Sequence, residues 1–367
     1  MFYIDVIGAG AMGGALVVLL SDYFKEHCKI RVFDKNIDNL NDIENAPNIE
    51  KLAKYELNDN TNIVVCCSSW QSTKDILLYL YRCRFKGYCF SISRDISNET
   101  SKLKNLLKTS QIKAIMPVGL EPGLLELLVE RQISKFETID SIITYCGGIV
   151  TKRPKNPLGY KRLFGKTYLP FNFKDAYKIS AGNLIKVPRF SEISPYYWEN
   201  IGMLESFHDG MHPNSYLNIK LKNANIEQRT LRWSGYANGV VLLNQLGLMD
   251  NNKENNLSKK EIMEKLLEKI FTKLSTDTTK TLLAIHTKYK AQENILKIEF
   301  NDYSKEINSM ALATCLPIIY IIETLHNIAI KNGISDLINL FGKDNIDNML
   351  SFIAKFNIKI TEHNIQH

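Results

Sequence analysis

The segment VIGAGAMGGALV, residues 6–17, restricts this chain more than any other part of it. An apolar strand runs straight into Gly8-Ala9-Gly10-Ala11-Met12-Gly13, and helix-forming residues follow at once. That is G-x-G-x-x-G at a strand-to-helix turn. There the first glycine permits a tight turn, the second lets a pyrophosphate approach bare backbone, and the third lets the helix pack close to the strand. The free N–H groups and positive dipole end of the helix then receive the phosphate charge. Packing alone is the competing account of the same glycines. The second strand, IRVFD, weighs against it by ending in Asp34, about twenty residues beyond Gly13, where a carboxylate can accept both ribose hydroxyls of an adenosine. A carboxylate there repels a 2′-phosphate, so NAD is expected over NADP, with Lys35 able to offset part of that repulsion.

Hydrophobic periodicity over the first hundred residues alternates between strand and helix. Strands are expected at Tyr3 to Ile7, Ile30 to Phe33, Asn62 to Ser69, 87–93 and 112–118. Helices are expected from about Met12 to Lys25, Lys74 to Tyr81 and from Glu99. This βαβ rhythm predicts a mostly parallel, doubly wound α/β sheet. Ser68 and Ser69 then fall at the carboxyl edge of the sheet, where such folds bind ligands, and would touch the cofactor's phosphates and ribose. An ordinary capped loop leading into the next helix explains them equally well. Further on, Pro122 is expected in the first turn of a helix over Gly119 to Glu130. Residues 257–274 read as an amphipathic helix with Ile262, Leu266, Ile270 and Leu274 in line, and 281–300 as an antiparallel hairpin.

At 367 residues the chain holds two or three domains, each able to bury a core. Its net charge of +7 comes from basic residues scattered among Asn and Asp, without the run that marks a nucleic-acid-binding tail, so no nucleic-acid partner is expected. The start MFYIDVIG lacks a basic segment and is broken by Asp5, unlike a signal peptide. The longest apolar run, Ala311 to Ile322, contains a proline and precedes Glu323; it is expected to be a buried helix too short to span a bilayer, with no membrane partner. The cysteines (28, 66, 67, 83, 89, 146 and 315) form no CxxC pair and show no zinc-ligand spacing, so no metal is expected, and a reduced, cytoplasmic protein is.

Beyond residue 118 the motifs resemble a known family. GLEPG (119–123), YCGG (145–148), NPLGYK (156–161), GNLIKVP (182–188), GMLESFHDG (202–210), RTLRWSGYANG (229–239) and SMALATCLP (309–317) follow one another in the order found in the saccharopine dehydrogenase-like superfamily. That resemblance implies an N-terminal Rossmann dinucleotide-binding domain, residues 1–120 completed by about 309–350. It implies a second α+β substrate and dimerisation domain on an open mixed sheet, residues 121–308, with 351–367 left as a C-terminal tail. It also implies a homodimer and hydride transfer between a nicotinamide and a carbon bearing nitrogen in a small amino acid. Saccharopine dehydrogenase or lysine 6-dehydrogenase activity leads; a carboxynorspermidine-type polyamine reductase or a non-catalytic NAD-binding protein are the alternatives.

The family's substrate contacts fall on several residues here. Glu121 takes the acidic place in G-L-(D/E)-P-G and would bind an ammonium or orient water, or else act as a helix N-terminal carboxylate. Cys146 and Gly147 would line the pocket, the glycine by close backbone approach to the ligand. Tyr160 and Lys161 are the candidates for proton transfer, against a solvated lysine in a basic stretch. Asp209 lies in the D-G segment. Arg232, mid-strand in TLRW, would clamp a carboxylate, because an unpaired buried guanidinium is expensive; an ion pair with Glu205 or Asp209 competes. Several relatives carry an arginine beside the segment that here reads FHDGMHPN. His208, Met211 and His212 in its place point to an altered pocket, and the two histidines titrate near neutrality or are simply solvated.

Overall fold

The computed structural model describes residues 1–93, 100–165, 167–169, 175–210, 223–249, 253–254 and 257–366. Along the chain run β1 (Phe2–Ile7), α1 (Ala11–Phe24), β2 (Cys28–Phe33), α2 (Ile37–Asn41) and β3 (Ile49–Leu52). Then come β4 (Ile63–Cys66), α3 (Trp70–Arg82), β5 (Lys86–Ser91), α4 (Thr100–Leu107), β6 (Gln111–Ile115) and α5 (Leu125–Lys135). The second stretch holds β7 (Ser141–Val150), β8 (Ala176–Ser180), β9 (Asn183–Val187), β10 (Ser194–Trp198), β11 (Gly202–His208) and β12 (Asn225–Trp233). It continues through α6 (Tyr236–Gln245), the short pair β13 (Lys253–Glu254) and β14 (Leu257–Ser258), α7 (Lys259–Phe271), β15 (Thr279–Tyr289) and β16 (Gln292–Asn301). The chain closes with α8 (Ser309–Thr324), β17 (Gly333–Ser335), α9 (Lys343–Ala354) and β18 (Lys359–Gln366).

Two compact units result, one of Met1–Arg131 with Ala311–Ile353, the other of Gln132–Met310 with the residues from Ala354 on. In the first unit the seven strands among the described residues lie in the order β17-β6-β5-β4-β1-β2-β3, every pairing parallel. Central strands buried on both faces need continuous apolar runs, and Ile63, Val64, Val65 and Cys66 supply one with no more than 1% exposure. The apolar run at 311–322 is α8. With its following turn it extends to Asn327 and is long and apolar enough to cross a membrane, contrary to the expectation from its length, yet 78% of it is buried inside the protein. Its apolar surface is matched to protein.

The second unit carries a mixed sheet, β10-β11-β12-β7-β15-β16-β18, with β8 added through β12 and β9 through β8. The predicted C-terminal tail is instead a strand: β18 pairs antiparallel with β16 from Lys359↔Glu299 to Gln366↔Gln292. An edge strand wet on both faces has no apolar alternation to reveal it, and its backbone satisfies the open edge of β16. Pro122 also departs from expectation. The helix begins at Leu125, because Gly123 takes φ 138°, and Glu126 caps it by accepting from Gly123 N at 2.6 Å.

The helix expected to reach 274 ends at Phe271; Ile262, Leu266 and Ile270 of α7, and Leu274 beyond its end, are exposed, at 41%, 63%, 45% and 57%. The inward row is the buried Leu267 and Phe271 with half-buried Met263, packed with Tyr236 and Val240 of α6. Either row has helical spacing, so periodicity alone does not choose between them. Leu267→Ala is expected to cost about 2–5 kcal/mol, and Leu266→Ala no more than about 0.5 kcal/mol. Urea denaturation followed by the fluorescence of Trp198 and Trp233 measures both; equal losses would reverse this assignment of faces.

Candidate functional site

Because every pairing in the first sheet is parallel, the carboxyl ends of its strands share one edge. Gly8 leaves β1 at φ 98° with its N–H on Phe33 O at 2.7 Å, and an added Cβ would stand 2.8 Å from Cys67 O. A Cβ on Gly13 would meet Gly8 O at 1.7 Å, so helix and strand could not approach as they do. Both glycines serve packing. Gly10 differs: nothing lies within 4 Å of where its Cβ would be. It N-caps α1 with no side-chain hydrogen bond, and no acidic residue stands in the first turn. The helix thus presents bare N–H groups and an uncompensated dipole beside open space, as an anion requires.

Asp34 is fixed beside that turn. Its Oδ2 accepts from Ala9 N at 2.7 Å and Asn39 Nδ2 at 3.1 Å, and its Oδ1 from Asn36 N at 2.8 Å. Lys35 is exposed next to it. The two serines separate: Ser69 caps α3, accepting from Ser72 N, whereas Ser68 Oγ is buried with no partner among the described residues. Ser68 Cβ is 3.6 Å from the position of a Gly8 Cβ, so its orphaned hydroxyl adjoins the turn. An unspent hydroxyl, a bare helix end and an oriented carboxylate fit a dinucleotide. Gly8, Ala9, Gly10, Ala11, Met12 and Gly13 would hold its diphosphate, Asp34 its adenosine ribose.

Two features of this edge escaped sequence reading. Thr73, Ser91 and Ser93 place their hydroxyls within 2.8–3.1 Å of one another at the end of β5. Only the alternation S-I-S at the strand end hints at it. Glu121 lies half-buried in the turn before α5, and the helix-capping role the sequence allowed it belongs to Glu126.

In the second unit alternation across strands sorts the candidates. Cys146 lies opposite Thr230 in the β7–β12 pairing, and Thr230 Oγ1 donates to Asp209 Oδ2 at 3.2 Å. Gly147 points to the other face. Its missing side chain accommodates protein: a Cβ would sit 2.2 Å from Leu231 O, while one on Gly148 would meet Met310 Cε at 2.7 Å. Packing therefore explains the pair of glycines in place of the ligand approach expected from sequence.

Arg232 shares a face with Glu205, its direct cross-strand partner, yet no ion pair forms. Glu205 instead accepts from Gly235 N and Ala237 N at 2.8 and 2.7 Å, capping α6. Asp209 is taken by Arg189 Nε and Thr230. Among the described residues Arg232 has one hydrogen bond, Nη1 to Leu231 O at 2.8 Å, and lies over the Tyr236 ring at 5.6 Å, while its Nε is buried with no partner among them. Tyr160 packs against Tyr236 and Phe271, ring centroids 5.0 and 5.6 Å apart, and burial pushes its phenol up against the opposing pull of Arg232. Lys161 follows it, half-buried.

His208 ends β11 fully buried, with Nε2 3.0 Å from Glu192 Oε2; it is not a solvated loop residue. Met211 and His212 lie outside the described residues. Glu192, His208 and Glu227 stand close enough to share a metal ion, but Lys178 already pairs with Glu192 at 2.7 Å and Arg229 with Glu227 at 2.9 Å. Hydrogen bonds from Lys178 and His208 lower the Glu192 carboxyl from its ordinary 4.5 to about 2. The folded state thus binds this proton less readily than the unfolded chain, so the stabilisation is complete above 4.5 and fades as pH falls from there toward 2. Glu192→Gln should flatten that part of the acid limb in thermal melts; an unchanged limb would show that the network contributes nothing.

A family model for the saccharopine dehydrogenase C-terminal domain matches residues 119–335. Among solved structures the fold is similar to apo saccharopine dehydrogenase (L-Glu forming) from Saccharomyces cerevisiae, with TM-score 0.81, 13% identity and 100% coverage of both chains. Aspartate dehydrogenase from Thermotoga maritima matches at TM-score 0.38 and 13% identity, covering 89% of this chain and 97% of its own. A dehydrogenase from Clostridium difficile matches at TM-score 0.42 and 12% identity, covering 97% and 98%. With the family model matching more than half of its length, the chain belongs to the saccharopine dehydrogenase family, and its fold is that of an NAD(P)-binding oxidoreductase.

Proposed function

We propose that the protein is an NAD-dependent amino-acid dehydrogenase working at a C–N bond of a lysine-related amino acid, as a saccharopine dehydrogenase or a lysine 6-dehydrogenase. The observation that carries the reading is Arg232, a guanidinium with a buried, unpartnered Nε and no carboxylate among the described residues. Such a group is stable when a ligand carboxylate completes it, and a fork of N–H donors suits that ion. Asp34, held by Ala9, Asn36 and Asn39, supports NAD over NADP, because a carboxylate fixed in place cannot swing away from a 2′-phosphate.

The nicotinamide, when bound, takes or gives the hydride. What remains for the protein is to hold the amino acid and move one proton. In this reading Arg232 anchors the carboxylate and Cys146 lines the pocket beside Thr230. Tyr160, whose raised phenol stays neutral, acts as a hydrogen-bond donor. Lys161 carries the proton. Asp209 steadies Arg189 and Thr230 around them. The seven cysteines are unbridged, which supports a cytoplasmic location. The apolar row exposed on α7 supports a homodimer.

Arg232→Ala should raise the KM for the amino acid by about tenfold or more and leave that for NADH within about twofold. Equal small effects on both would remove Arg232 from the site. In the same assay NADPH should bind less tightly than NADH, and a preference for NADPH would overturn the role given to Asp34.

A further inference from the structure

The hydroxyls at the end of β5 form a closed triangle. Thr73 Oγ1 lies 3.1 Å from Ser91 Oγ and 3.0 Å from Ser93 Oγ, and the two serine oxygens are 2.8 Å apart. Each hydroxyl has one proton and two lone pairs. Three protons shared among three contacts leave no donor pointing outward. Ser91 Oγ also accepts from Ser93 N at 3.1 Å, so both of its lone pairs are used. Thr73 and Ser91 are fully buried, whereas Ser93 is half-buried. The cluster therefore offers its surroundings one thing, an acceptor on Ser93 Oγ, and its ligand must be an N–H or O–H donor.

Position narrows the choice. Ile92 N donates to Cys66 O at 3.2 Å, and Val118 N to Ser91 O at 2.7 Å, so the cluster stands between the end of β4 and the segment leading to Glu121. Along the strand edge Asp34 follows β2, the glycine turn β1, Ser68 β4 and Ser93 β5. A dinucleotide with its adenosine at Asp34 and its diphosphate at the glycine turn has its other half over β4 and β5. The donor presented there is the carboxamide N–H of the nicotinamide. We infer that the Thr73–Ser91–Ser93 cluster is the seat of that carboxamide, with Ser93 Oγ accepting its N–H and thereby setting which way the ring is turned. This rests on the cofactor reading of the glycine turn.

The test is calorimetric titration of the whole protein with NAD, with 3-acetylpyridine adenine dinucleotide, whose acetyl group has no N–H, and with ADP-ribose, which lacks the ring. The wild type should bind NAD about threefold to tenfold more tightly than the acetyl analogue, as the loss of one hydrogen bond demands. Ser93→Ala should erase that preference and leave ADP-ribose affinity unchanged, which also shows that the variant is folded. A preference that survives in Ser93→Ala, or one missing from a wild type that binds ADP-ribose, overturns the carboxamide assignment alone. A wild type that binds none of the three overturns the cofactor reading and this inference together.

Discussion

The first unit depends on one contact, the Gly13 backbone against Gly8 O. A methyl group there would meet that oxygen at 1.7 Å, so only glycine lets α1 press onto the end of β1. The pressing aims the amino end of the helix across the strand edge. Ala9 N then reaches Asp34, whose carboxylate is fixed in turn by Asn36 and Asn39. The turn and the Asp34 carboxylate become one connected object, set before any ligand arrives. Such preorganisation lowers the ordering entropy that binding would otherwise have to overcome.

The second unit works by alternation. One face of its sheet carries Leu231, Trp233, Leu204 and Leu282 into an aromatic-rich cluster; the other carries Thr230, Arg232 and Cys146. A single residue of register separates Cys146 from Gly147, and with it a polar neighbourhood from a packed one. For this reason the Y-C-G-G motif divides physically. Its cysteine stands beside Thr230, and its glycines let protein atoms, Leu231 O and Met310 Cε, come close.

Sequence carried most of the first unit because central parallel strands must be continuously apolar and their turns must be glycine. The strand Ile63–Cys66 and the turn at Gly8 were legible on those grounds. What escaped was decided by choices that local pattern leaves open. Both rows of α7 have helical spacing, and only tertiary packing turns Met263, Leu267 and Phe271 inward. β18 is polar on both faces, so its existence follows from the free edge of β16. The start of α5 was set by the φ of Gly123, not by Pro122. At the candidate site, the placing of Asp34 beside the glycine turn could be read from spacing. The roles of Ser68 and Ser69 could not, because capping and ligand contact ask for the same residue type.

The two arginines of β12 show how burial separates structure from function. Arg229 donates to Ser206, Glu227 and Ser194 at 2.9–3.1 Å, and also to Glu192 O. Its charge is answered within the protein, and removing it would break all four of these bonds. Arg232, three residues on and on the opposite face, has a carbonyl and an aromatic ring for company, although Glu205 stands directly across from it. Glu205 faces two claims, from Arg232 and from the amino end of α6, and its oxygens lie with the N–H groups of Gly235 and Ala237. A cation whose natural partner is engaged elsewhere is a stability defect unless a ligand completes it. In the function proposed above, that ligand is an anion with planar, paired acceptors, a carboxylate.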